Sequence, residues 1–182
     1  YPLGPLTEDE KRFYTWTLQS HIDLARAVWL DYCECKMIDT IAREPLWRHL
    51  INYRCGTGHS VSFVGNVHEG PHALNSRNTT RMRPGMVVTD EPGVYETDLV
   101  GIRIENELVC IHKADNQYGT FLGFEPLTFV PIATSPILPG VLDKDEIAWL
   151  NDYHRQVFAK LAPHLNAEER VWLAEKCASI GC

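Results

Sequence analysis

Apolar residues recur at helical spacing near the start of the chain, where Tyr14, Leu18, Ile22, Ala25 and Trp29 form one stripe. Thr7, followed three residues later by Glu10 and preceded by Pro5, is a capping-box signal, so the spacing predicts a helix from Thr7 to about Leu30. A second stripe, Ile38, Ile41, Ala42 and Leu46, predicts a helix from Met37 to about Leu50. Pro45 should kink or divide it, because proline lacks the amide proton and crowds the preceding turn. The period then changes: between Cys55 and Asn66, glycines among β-branched residues predict extended chain that another group approaches closely. Met86 to Thr89 predict a strand behind the Arg83-Pro84-Gly85 turn, with Glu91 where that strand turns at Pro92-Gly93. From Ile102 to Ile111 the pattern alternates. Ile102, Ile104, Leu108 and Cys110 share one face and Arg103, Glu105, Glu107, Val109 and Ile111 the other, which puts Glu105 inside a strand. Residues 127–132, LTFVPI, predict a last strand. Asp143 with Glu146, and Asn166 with Glu169, then cap two helices, the first bearing Ile147, Leu150, Tyr153, Val157 and Leu161, the second Val171, Leu173 and Cys177. The expectation is an α+β chain, with an antiparallel sheet and flanking helices over residues 1–130 and a helical appendage over 131–182.

The candidate chemistry is concentrated between Gly56 and Ile111. His59 lies in GTGH, His68 in NVHEGP, Glu91 in TDEPG and Glu105 in GIRIEN. A carboxylate in a strand interior calls for a partner, either a metal or the neighbouring Arg103, because acidic residues are depleted there. Taken singly, a strand glutamate beside an arginine is usually an ion pair, and a lone histidine is usually a hydrogen-bonded side chain. Four such signals in order are improbable by coincidence. If the loop from Gly93 to Gly101 returns the chain antiparallel, Glu91 and Glu105 come to one site, a geometry that a cation stabilises and bare repulsion opposes. His72 and His112 have no assigned role.

These motifs resemble those of aminopeptidase P, the Xaa-Pro aminopeptidase of the pita-bread metallopeptidase family, and the tail beginning FLGFEPLTF resembles its larger form. The resemblance implies that the chain is the second half of a pita-bread fold followed by a C-terminal helical pair. It implies a dinuclear carboxylate site in which His59, Glu91 and Glu105 are metal ligands. Glu91 would also accept a proton, and His68 would stabilise the reacting carbonyl. His59 and His68 would line the substrate, and Arg103 would orient or neutralise a carboxylate. Two divalent ions, most often Mn²⁺, would share and acidify a water. The family's two metal-binding aspartates would fall before Tyr1, so this chain alone would be inactive. A peptide with proline second would be the substrate. The terminal helices would form a homodimer contact, with Trp149 and Trp172 as candidates. Cys55 stands where the family usually has a histidine, and Ser60 where it has a glycine. The competing class is a non-catalytic pita-bread binding module, against which the retained His59, Glu91 and Glu105 argue.

Composition narrows the alternatives. A 182-residue chain with 45% hydrophobic and 23% charged residues can bury a substantial core. Its net charge of −7 and scattered Lys and Arg argue against nucleic-acid binding. No apolar segment approaches the ~20 residues that span a bilayer, and no signal pattern is present, which predicts a cytoplasmic protein without membrane contact. Cys33, Cys35, Cys55, Cys110, Cys177 and Cys182 have no zinc-ribbon spacing and are expected to be reduced thiols.

Overall fold

The structure is a computed structural model that describes residues 1–181. The chain divides into two compact units. One comprises Trp16–Thr128, and the other joins Tyr1–Thr15 to the segment from Phe129 onward. Cys182 lies outside the described residues. The remaining five cysteines are free.

Helix α1 (Glu8–Ala25) contains the division between the units. The Thr7 amide donates to Glu10 at 2.7 Å and the Glu10 amide to the Thr7 hydroxyl at 3.3 Å, which satisfies two of the helix's orphan donors. The predicted continuation to Leu30 does not occur. Val28–Leu30 is instead strand β1, whose burial alternates as exposed, buried and intermediate. Trp29 has a helical spacing from Ala25, but its ring lies 4.6 Å from Phe124 in the sheet, so cross-strand packing overrides the helical period.

Helix α2 (Cys35–Trp47) begins two residues earlier and ends three earlier than predicted. Its early start follows from the Cys35 and Lys36 amides, which donate to the carbonyls of Thr80 and Asn78 in place of a side-chain cap. Pro45 stays within the last turns. Past the helix end the chain reverses at Leu50, whose φ of 59° is the left-handed position usually given to glycine, and the Ile51 amide returns to the Leu46 carbonyl.

The larger unit is built on a four-stranded antiparallel sheet in the order β1, β8 (Gly119–Pro126), β7 (Asn106–Asn116) and β4 (Val87–Asp90). Two small ladders accompany it, β2 (Gly58–His59) with β3 (Ala73–Leu74), and β5 (Gly93–Glu96) with β6 (Val100–Arg103). Leu18, Ile22, Ile38, Leu46, Leu74, Val88, Leu108 and Leu122 are among its fully buried core side chains. Two expectations need correction. The last strand is Gly119–Pro126, not residues 127–132, a segment that contains Pro131, which cannot donate to a ladder. Glu105 is not inside a strand. It lies with Ile104 in the short break between β6 and β7.

In the smaller unit, α3 (Lys144–Leu161) and α4 (Ala167–Lys176) each start with a complete capping box, Asp143 with Glu146 and Asn166 with Glu169. Tyr153 bridges both backbone groups of Val130 at 3.0–3.1 Å, and His154 accepts the Ile132 amide at 3.1 Å. Burial keeps the His154 pKa below the usual histidine value, which matches its acceptor role. Trp149 stacks on Tyr153 at 5.4 Å, whereas Trp172 is half exposed.

Candidate active site

Three separated stretches of the larger unit meet at a cavity of about 310 Å³ lined by Cys55, Gly56, Gly58, His59, His68, Ala73, Asn75, Glu91 and Arg103. The β2 segment reaches it because Gly58 lies directly against β4. A Cβ on Gly58 would stand 1.8 Å from the Thr89 carbonyl oxygen, a distance only glycine's missing side chain allows. Behind that contact the His59 amide donates to the Thr89 hydroxyl at 3.0 Å, and the Glu91 amide donates to the Thr57 carbonyl at 2.8 Å. Gly58→Ala is therefore expected to push β2 off β4 and destabilise the larger unit by about 1–3 kcal/mol, the range for forced overpacking. A urea titration checks this. An alanine variant within about 0.5 kcal/mol of the parent would mean that the two backbones can separate freely.

His59 Nε2 stands 3.0 Å from Glu91 Oε1. The other ring nitrogen, Nδ1, is 3.2 Å from the Ser60 carbonyl, which can only accept, so Nδ1 carries a proton. In the neutral ring Nε2 is then an acceptor facing a carboxylate oxygen. Two acceptors at this separation require a proton or a cation between or beside them. The donor chemistry, imidazole nitrogen with carboxylate oxygen, fits a borderline or hard divalent ion. Glu91 is buried. Its Oε1 also accepts the Thr89 hydroxyl at 2.8 Å, and its Oε2 pairs with the Arg103 guanidinium. His68 packs edge-on to His59 with ring centres 4.0 Å apart.

Glu105 takes a different position. The β4–β7 ladder (Val87↔Val109 to Asp90↔Asn106) and the β5–β6 ladder (Gly93↔Arg103 to Glu96↔Val100) run in a single register, so Glu91 and Glu105 are opposite across the gap between them. The Glu105 side chain is exposed, and its charge acts on Asp90 and Tyr95. Among the described residues, no three His, Cys, Asp or Glu side chains close on one point as a metal cage. Glu91 turns to Arg103 instead, as expected when two like charges face each other across a ladder. Thus His59, Glu91, His68 and Arg103 come together, and Glu105 stands across from them. His72 and His112 have ordinary roles, the first bonded to the Val87 carbonyl at 2.7 Å and the second to Asp115 at 2.9 Å.

Two groups at the site escape sequence reasoning. Tyr95 accepts a bond from Arg103 Nε at 2.6 Å. Its signal lies in Gly93 and Gly101, where an added Cβ would stand 2.9 Å from the tyrosine hydroxyl oxygen and 3.4 Å from its ring, respectively. Burial raises the Tyr95 pKa, and neighbouring Cys55 and Glu105 add to the effect. Asp90 is the second. It is fully buried, with His21 Nδ1 at 3.1 Å. His21 Nε2 lies 3.3 Å from the Asn106 amide nitrogen, and Asn106 accepts from Thr128. Burial raises the Asp90 pKa, and His21 opposes that shift.

The sequence profile of metallopeptidase family M24 matches residues 1–112, and the profile of the C-terminal region of that family matches residues 120–180. Aminopeptidase P1 of Lotus japonicus is 40% identical over 184 residues, covering 98% of this chain and 28% of the relative. Aminopeptidase P2 of Arabidopsis thaliana is 43% identical over 171 residues, covering 90% and 24%. The X-prolyl aminopeptidase of Caenorhabditis elegans, described as a cytosolic enzyme with a di-nuclear active site, superposes with a TM-score of 0.90 at 37% identity, covering 98% of this chain and 30% of its own. The chain therefore spans less than a third of these relatives' length. The architecture is the pita-bread fold's curled antiparallel sheet with helices, and the chain belongs to metallopeptidase family M24.

Proposed function

We propose that this chain is the C-terminal part of the catalytic domain of a metal-dependent aminopeptidase that removes the first residue from Xaa-Pro peptides. The observation that carries the reading is the 3.0 Å approach of His59 Nε2 to Glu91 Oε1 in a cavity that also presents His68 and Arg103. His59, Glu91 and Glu105 would hold the metal. Two divalent ions, with Mn²⁺ favoured for such oxygen-rich donors, would supply Lewis acidity and a water acidic enough to react near neutral pH. Glu91 would serve as the proton acceptor at the reacting centre, with Arg103 holding its second oxygen in place. His68 donates to the oxygen of the scissile carbonyl, a bond that strengthens as negative charge develops there. Three donors are too few for two ions, so carboxylates from outside this sequence complete the site, and the chain by itself is inactive. The half-exposed Trp172 on α4 belongs to a contact with a second copy, and Trp149 borders it. Cytoplasmic placement is supported by the relative described as cytosolic.

The test is hydrolysis of Ala-Pro-Ala and Ala-Ala-Ala by the full-length protein, before and after chelation and with Mn²⁺ restored. Cleavage only of the proline peptide, lost on chelation and regained with Mn²⁺, is expected. Absence of cleavage in the full-length, Mn²⁺-supplied protein would overturn the reading in favour of a non-catalytic module.

A further inference from the structure

A second cavity, of about 620 Å³, adjoins the active-site cavity and shares Cys55, Gly56 and Asn75 with it. Its lining carries three guanidinium groups, Arg43, Arg54 and Arg77, and no carboxylate, although the chain as a whole has a net charge of −7. Arg43 is fully engaged, with Asp39, Asn52 and the carbonyls of Tyr53 and Cys55. Arg54 and Arg77 differ. Both are exposed, and neither forms an ion pair among the described residues.

Their backbones are nonetheless held. The carbonyls on either side of Arg54 are the two that Arg43 holds at 2.9 Å. The Arg77 amide donates to the Asn75 side chain at 3.0 Å. Two uncommitted guanidinium groups on a fixed frame thus face a groove continuous with the reacting centre. A peptide offers such a groove one obligatory cation, its N-terminal ammonium, and one obligatory anion, its C-terminal carboxylate. The positive lining rejects the first and takes the second.

We propose that Arg54 and Arg77 form a carboxylate-binding subsite for the downstream end of the substrate, which selects short peptides with a free C-terminus or an acidic residue after proline. This deepens the Xaa-Pro aminopeptidase reading and rests on it. Guanidinium suits the role because its planar fork matches both carboxylate oxygens.

The experiment uses the full-length protein with Mn²⁺ and three peptides, Ala-Pro-Ala as the free acid, Ala-Pro-Ala amide and Ala-Pro-Asp amide. For the parent protein kcat/KM of the acid should exceed that of the amide by about tenfold, as expected for a partly exposed charge-assisted pair, and the advantage should shrink in high salt. In the Arg54→Gln, Arg77→Gln variant the ratio should fall to about one, while the double lysine variant retains part of it. An advantage for Ala-Pro-Asp amide over Ala-Pro-Ala amide would show that side-chain carboxylates also serve, and its absence would confine the subsite to the terminus. Calorimetric binding of the acid and the amide is measured in parallel, so the subsite is tested even if no peptide is cleaved. Equal affinity for the two in the parent, or a preference unchanged in the double glutamine variant, would overturn the proposal. Cleavage without that preference would leave the aminopeptidase reading intact.

Discussion

Replacing Glu91 with glutamine is expected to lower kcat of the full-length protein by about two to four orders of magnitude, the range for losing a positioned proton acceptor. Glutamine has nearly the same shape, and its carbonyl oxygen can still accept the Thr89 hydroxyl that reaches Glu91 at 2.8 Å. What it loses is charge and basicity. Its amide group would face either His59 or the Arg103 guanidinium, and Arg103 would keep Tyr95 as its partner. The fold should survive, since the backbone bond from residue 91 to the Thr57 carbonyl does not involve the side chain. The check is steady-state hydrolysis of an Xaa-Pro peptide alongside thermal unfolding. Loss of kcat with little change in unfolding temperature supports the role. A variant within fivefold of the parent's kcat would remove Glu91 from proton transfer.

Arg43→Ala should produce the largest loss of stability, about 3–5 kcal/mol, because it strands a buried charge. The Arg43 side chain is buried, binds Asp39 Oδ2 at 2.7 Å, and stacks on the Tyr53 ring at 4.2 Å. It also holds Asn52 and the carbonyls of Tyr53 and Cys55. Without it, Asp39 keeps the Thr57 hydroxyl, and two carbonyls just before GTGH lose their donor. Arg43→Lys should recover only a fraction, since an ammonium cannot reach acceptors spread across a planar fork. Urea unfolding of the isolated variants gives the comparison. A loss under about 1 kcal/mol for the alanine variant would show that water replaces the guanidinium.

The same residues mark how far the sequence could be read. The capping boxes at Thr7, Asp143 and Asn166 were legible because both halves of each lie three residues apart. His59 and Glu91 were legible through their neighbours, a glycine that permits close approach and a Pro-Gly that ends a strand. The strand at Trp29 was not, because its partner Leu122 is distant in sequence and the local period fits a helix equally well. Nor was the buried pairing of His21 with Asp90, or the reach of Arg43 to Cys55, since nothing local distinguishes these side chains from solvated ones. The sequence puts Glu105 inside a strand because apolar and polar residues alternate on both sides of it, at Ile102 to Ile104 and again at Glu107 to Ile111. Only the hydrogen-bond pattern reveals that the ladder lapses there.

The common register of the two ladders on either side of that lapse has an engineering consequence. Glu91 and Glu105 are located relative to each other by pairing, so the hairpin tip at residues 97–99 behaves as slack. A segment grafted beside Asp98, whose φ of 58° already marks a turn, leaves the spacing of the two carboxylates untouched. One residue added between Gly93 and Tyr95 instead inverts the side chains beyond it in that strand and carries Tyr95 away from Arg103. The tip is therefore the place to attach a label, and the strand beside it is the place where a deletion scan should meet its sharpest boundary.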